Sequence, residues 1–178
     1  EPGQPLGPAE KDAQAGLDVK WTPTAGTAFD ATLNPDFSQI ESDVAQITAN
    51  TRFALFYPEK RPFFLEGVDL FDTPVQAVYT RTVTSPRWGA RATGKLGPSS
   101  YTVLLAQDRG GGSVVLPGPT GSSFAPQDDR SLVGLARWRR DLGGSFFGLL
   151  YAGREVEDGG GHNRVLGADG QWRPGQVD

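Results

Sequence analysis

The chain has 178 residues with 24 Gly and 14 Pro, and only 37% of its residues are hydrophobic. Turn-makers and breakers at that density argue against a long helix-based core and for many short strands with frequent turns. No Cys and a single His exclude disulfides, thiolate metal centres and multi-histidine zinc sites, and a formal charge of −4 argues against a nucleic-acid partner.

Residues 1–15 are rich in Pro, Gly and Ala and read as a linker or frayed terminus. Strict alternation then begins. Residues 17–22 (LDVKWT) and 29–34 (FDATLN) place apolar and polar side chains on opposite faces, with a turn between them, and read as a β-hairpin. Residues 34–74 form an inserted region. Its acidic first part, 34–51, holds a weak helical pattern over 40–49, and residues 52–57 look strand-like. In PEKRPFFLEG, residues 58–67, two prolines four residues apart exclude a regular helix. Further strands are predicted over 75–83, 88–96, 101–107, 132–140, 145–154 and 163–172, about nine in all. Residues 108–130 and 155–162 read as long loops, whereas 23–26, 97–100 and 141–144 are short turns. Glycines at 89, 94, 134 and 148 fit sheet coiling and close contact.

No run approaches the ~18 apolar residues of a transmembrane helix, so a membrane role would use strands. Lipid-embedded strands must pair every backbone group, face lipid with apolar side chains and may be polar inside. On that reading Lys20, Asp30, Arg91, Lys95, Arg137 and Arg139 point inward, while Trp21, Trp88, Tyr101, Trp138, Tyr151 and Trp172 sit near the interfaces. Short turns on one rim and long loops on the other suit such a barrel. The alternation alone fits a half-buried sheet in water equally well. With no Met even at position 1, the chain reads as a processed product or an excised piece, from which a signal peptide could have been removed.

The segments Asn34-Pro35-Asp36-Phe37-Ser38-Gln39 and Pro58-Glu59-Lys60-Arg61-Pro62-Phe63-Phe64-Leu65-Glu66-Gly67 carry a specific likeness. With Gly16–Lys20 and Asn163–Asp169, they make the chain resemble an uncharacterised bacterial outer-membrane β-barrel domain family. In full-length members that domain usually follows a carbohydrate-binding, family-nine-like β-sandwich. The resemblance implies a bacterial outer-membrane location, a barrel longer than residues 16–178, and partners among outer-membrane lipid, missing strands of the same barrel or other chains. It assigns no catalytic residue. The sandwich is absent here, so carbohydrate binding does not carry over.

Asp36, Glu41, Asp43, Glu59 and Glu66 are candidate binding carboxylates, with Asp69 nearby. Hard carboxylates can hold Ca²⁺, though the calcium-loop spacing is unmatched. A pair at ~5–9.5 Å could hydrolyse glycosides. The simpler expectation is solvated or salt-bridged loop acids. Lys60 and Arg61 read either as an anion site or, preferably, as part of an ion-pair network that pins a plug-like loop, which burial of Phe63, Phe64 and Leu65 would anchor. His162, in a Gly-rich loop, lacks any nucleophile signature, and Gly110–Gly112 lacks the features of a phosphate loop. The expectation is therefore an all-β antiparallel meander forming part of a transmembrane β-barrel with a plug- or rim-like loop. Its role would be structural or transport-related, with no catalytic residue, cofactor or metal assigned. A glycan-binding or glycan-hydrolysing outer-membrane protein and a soluble β-barrel binding module are the alternatives.

Overall fold

A computed structural model describes residues 15–36, 59–111, 113–118, 120–126 and 128–173. The helical pattern at 40–49, the strand-like 52–57, Glu41 and Asp43 lie outside the described residues.

The fold is all-β. Strands β1 (Leu17–Thr24), β2 (Thr27–Leu33), β3 (Pro86–Leu96), β4 (Ser99–Asp108), β7 (Ser131–Leu142), β8 (Ser145–Val156) and β9 (Gly161–Gln171) form one seven-stranded sheet in the order β1-β2-β3-β4-β7-β8-β9. Every neighbouring pair is antiparallel, and the sheet is an unclosed meander whose edges are β1 and β9. Strands β5 (Ser113–Gly118) and β6 (Gly121–Pro126) form a separate hairpin. Three tight turns share one rim, after β1, β3 and β7; Gly97 and Gly143 take positive φ of 57° and 67° in two of them, where a side chain would be strained. The other rim carries the connections after β2, β4 and β8.

Four expectations of secondary structure need correction. Residues 75–83 are no strand: they end in a 3-10 turn at Thr80–Thr82 and lie over the sheet. Val78, Thr80 and Val83 are buried on the underside of this segment, so these residues serve packing and not a strand ladder. The 108–130 loop contains the β5–β6 hairpin, where Pro117 and Pro126 are tolerated because a two-stranded sheet has only edge strands. The 155–162 loop shrinks, since β8 runs to Val156 and β9 begins at Gly161 around a 3-10 turn at Glu157–Gly159. Within PEKRPFFLEG one helical turn, α1 (Pro62–Leu65), does form, because Pro62 stands at its start, where the missing N–H costs nothing.

The register puts Leu17, Val19, Trp21, Phe29, Leu33 and their counterparts on one face. Residues 59–85 cover the other face. Phe64, Phe71, Val78 and Val83 of that segment pack with Leu104, Ala106, Val133, Leu135 and Leu150 of the sheet into the buried core. Each Val, Leu or Phe side chain of this set, fully buried, contributes about 1.5–3 kcal/mol. Gly89 makes the fit possible: a Cβ there would lie 2.6 Å from the Phe63 ring. Leu65 departs from expectation. The ~100° step of its helical turn aims it away from the sheet, and it is exposed.

Candidate functional site

The covered face of the sheet is built from arginines, and the irregular segment above it explains why. Backbone carbonyls in residues 63–83 lack a strand partner, and a buried carbonyl needs a donor. A guanidinium offers five N–H donors in a rigid fork. Arg137 on β7 donates from Nε to the Leu70 carbonyl at 3.0 Å, while Nη1 and Nη2 reach Asp169 of β9 at 2.5 and 2.8 Å. Arg91 on β3 donates to the Phe63 carbonyl and to Asp30 and Glu66 at 3.0 and 3.1 Å. Arg154 on β8 donates to the Thr82 carbonyl at 2.8 Å, to Ser131 Oγ at 2.5 Å and to Asp108 at 3.3 Å. Asp108 in turn accepts the Ser85 and Thr84 amides at 2.8 and 3.1 Å.

Arg61 closes the set from within the segment. It is 1% exposed and lies over the Phe64 ring at 4.2 Å. Its Nε and Nη2 pair with both oxygens of Glu59 at 2.8 Å, and its remaining donors take the Val83 and Thr80 carbonyls at 2.5 and 2.9 Å. Thr80 Oγ1 also donates to Glu59 Oε2 at 2.6 Å. Burial pushes the Glu59 carboxyl up, but the Arg61 hydrogen bonds and charge, with Thr80, outweigh it and hold it below the ordinary value.

The residues proposed from sequence therefore scatter. Glu59 and Arg61 form a buried pair, and both Glu59 oxygens are committed to Arg61 and Thr80. Glu66 bridges Lys20 (2.6 Å) and Arg91, tying the segment to β1 and β3. Lys60 is exposed, as is Asp36, which borders a recess of about 450 Å³ beside Lys20, Asp30 and Arg91. Asp69 borders a separate cavity of about 250 Å³ with Asp72 and Arg81. Lys95 is exposed at the tight-turn rim, Arg139 pairs with Asp141, and His162 is exposed at the start of β9. Among the described residues no group of three or more His, Cys, Asp or Glu is placed to hold a metal ion. Sequence reading missed Asp108, Arg154 and Asp169. Each sits at an inward position of its strand, but the partners named above lie 23 to 72 residues away in the chain, a distance that no local pattern encodes.

The opposite face is as apolar as this one is charged. Leu17, Val19, Trp21, Leu96, Leu149 and Leu166 are all exposed, Trp21 by 62% and Leu166 by 83%. At the positions fixed by register, the outward side chains of β1 to β4 include no Asp, Glu, Lys or Arg; Arg87, exposed, stands at the β3 bulge between Pro86 and Trp88. Those of β7 to β9 include three: Arg140 near the tight turns, and Glu155 with Arg164 near the opposite rim, ion-paired at 2.5 Å.

The model of the family described as domain of unknown function (DUF5916) matches residues 4–95, just over half of the 178, and takes in both the NPDFSQ and PEKRPFFLEG segments. No curated protein and no solved structure matches the chain. The chain, with its arginine-lined sheet, belongs to the DUF5916 domain family.

Proposed function

We propose that the chain forms part of the wall of a bacterial outer-membrane β-barrel, with a structural or transport-related role. Its apolar face meets lipid, and residues 59–85 line the lumen side. One observation carries this reading: the exposed face is apolar across seven strands, while ion-paired arginines occupy the covered face. A sheet in water has the reverse need, since contiguous exposed apolar patches beyond a few hundred Å² are rare on soluble monomers. The dimensions agree. From Arg140 to Leu132, whose cross-strand partner is Glu155, β7 advances eight residues. That is about 27 Å along the strand, or roughly 20 Å of depth at a tilt near 40°, which fits the ~25 Å apolar band of such barrels.

Closing the wall takes more strands. Seven antiparallel strands leave β1 and β9 running in the same direction, so they cannot pair with each other antiparallel. An odd number of further strands, from this polypeptide or another chain, completes an all-antiparallel barrel. The test is extraction of membranes from cells that make the protein. The protein is expected to stay in the pellet through alkaline carbonate and to leave only with detergent. Recovery in the aqueous supernatant would overturn the proposal.

A further inference from the structure

Arg140 is the one outward-facing Asp, Glu, Lys or Arg that the strand register places at the tight-turn rim. Glu155 and Arg164, outward on β8 and β9, neutralise each other at the long-loop rim. Arg140 is exposed, and no hydrogen bond or ion pair holds it. It stands two residues before the end of β7, and its direct cross-strand neighbours are Ser99 on β4 and Phe147 on β8. Trp138, one outward position deeper, meets the Phe147 ring edge-on at 6.3 Å between centroids. Leu96 and Leu142 stand exposed at the adjoining turns. A cation at the end of an apolar band, next to an indole and a hydroxyl, matches the boundary where acyl chains give way to headgroups. A guanidinium there can extend to the interface and take a phosphate oxygen through paired N–H donors.

We infer that Arg140, with Ser99 beside it, binds the phosphate of an anionic phospholipid in the leaflet at the tight-turn rim. The inference rests on the barrel reading and adds a specific lipid contact to it. Arg139 makes a built-in control, because the register turns it to the other face, where it pairs with Asp141 at 3.0 Å and lies over the Phe146 ring.

The experiment uses the protein purified from membranes in detergent doped with phosphatidylglycerol, with bound lipid counted by native mass spectrometry. Unaltered protein and Arg139→Gln are expected to retain phosphatidylglycerol equally. Arg140→Gln should retain about fivefold less, the effect of one interfacial cation, and Arg140→Lys should recover part of the loss. Millimolar inorganic phosphate should not displace the lipid; displacement would assign the site to free phosphate and overturn the lipid assignment. If Arg140→Gln pellets with membranes but keeps its full lipid complement, the inference falls while the barrel reading stands. If neither protein pellets with membranes, both fall.

Discussion

Val103 and Leu104 are neighbours on β4 whose responses to substitution separate a wall in lipid from a sheet in water. Val103 points outward and is 40% exposed; Leu104 points inward and is 1% exposed. Val103 lies four residues from both Ser99 and Gln107, about 13 Å along the strand in each direction, so in a barrel it sits near mid-height of the apolar band. Val103→Arg would then cost about 2–4 kcal/mol, the cost of an arginine at the bilayer midplane. On a sheet in water the same change at an exposed position should stay within about 0.5 kcal/mol. Leu104→Ala, which empties a packed site, costs about 2–5 kcal/mol in either setting and calibrates the assay. The measurement is urea unfolding of the protein in lipid vesicles, followed by tryptophan fluorescence. A normal loss for Leu104→Ala with no measurable loss for Val103→Arg would refute the reasoning.

Other substitutions probe the covered face. Arg61→Met leaves Glu59 charged and buried without its partner and should cost about 3–5 kcal/mol, a large part of which Glu59→Gln should restore in the double variant; additive losses would count against the pair. Acid should loosen the same segment. A carboxyl held below its ordinary value of 4.5 contributes stability above that pH and loses it as pH falls through its lower folded value, so melting temperature should drop below pH 4.5 and Glu59→Gln should flatten part of that drop; an unchanged pH profile would refute it. Gly89→Ala drives a methyl into the Phe63 ring and should cost about 1–3 kcal/mol in denaturant unfolding, reduced when Phe63→Ala is added.

The meander was legible because lipid and water impose the same period of two on a sheet with two unlike faces. Trp88 to Leu96 and Leu132 to Arg140 therefore fall inside β3 and β7, with Arg91 and Arg137 inward as their alternation requires. The same rule misread residues 75–83, because a chain lying on a sheet buries side chains such as Val78, Thr80 and Val83 without forming a ladder. Nine strands were expected and the described residues hold nine, yet the sets differ: β5 and β6 occupy what read as loop, since turn-rich composition hides a short hairpin. At the candidate site, the sequence reads as an ion-pair network of Lys60 and Arg61 between Glu59 and Glu66, and the structure pairs Arg61 with Glu59 and Glu66 with Lys20 and Arg91. Arg137 with Asp169 and Arg154 with Asp108 were not legible, because sheet order alone brings them together.

The degree of pairing describes the interior. Arginines in a water-filled lumen need no fixed partners, because water supplies them. Here the side chains of Arg61, Arg91 and Arg137 are each about 2% exposed, and each holds both a carboxylate and at least one backbone carbonyl. Removing such charges from water costs several kcal/mol per ion unless geometry returns it. The bidentate contacts to Glu59 and Asp169 supply that geometry. With Arg154, the four arginines bond five carbonyls between Phe63 and Val83, a span with no strand of its own. The guanidiniums thus stand in for a missing ladder, and residues 59–85 form a packed layer on the covered face of the sheet.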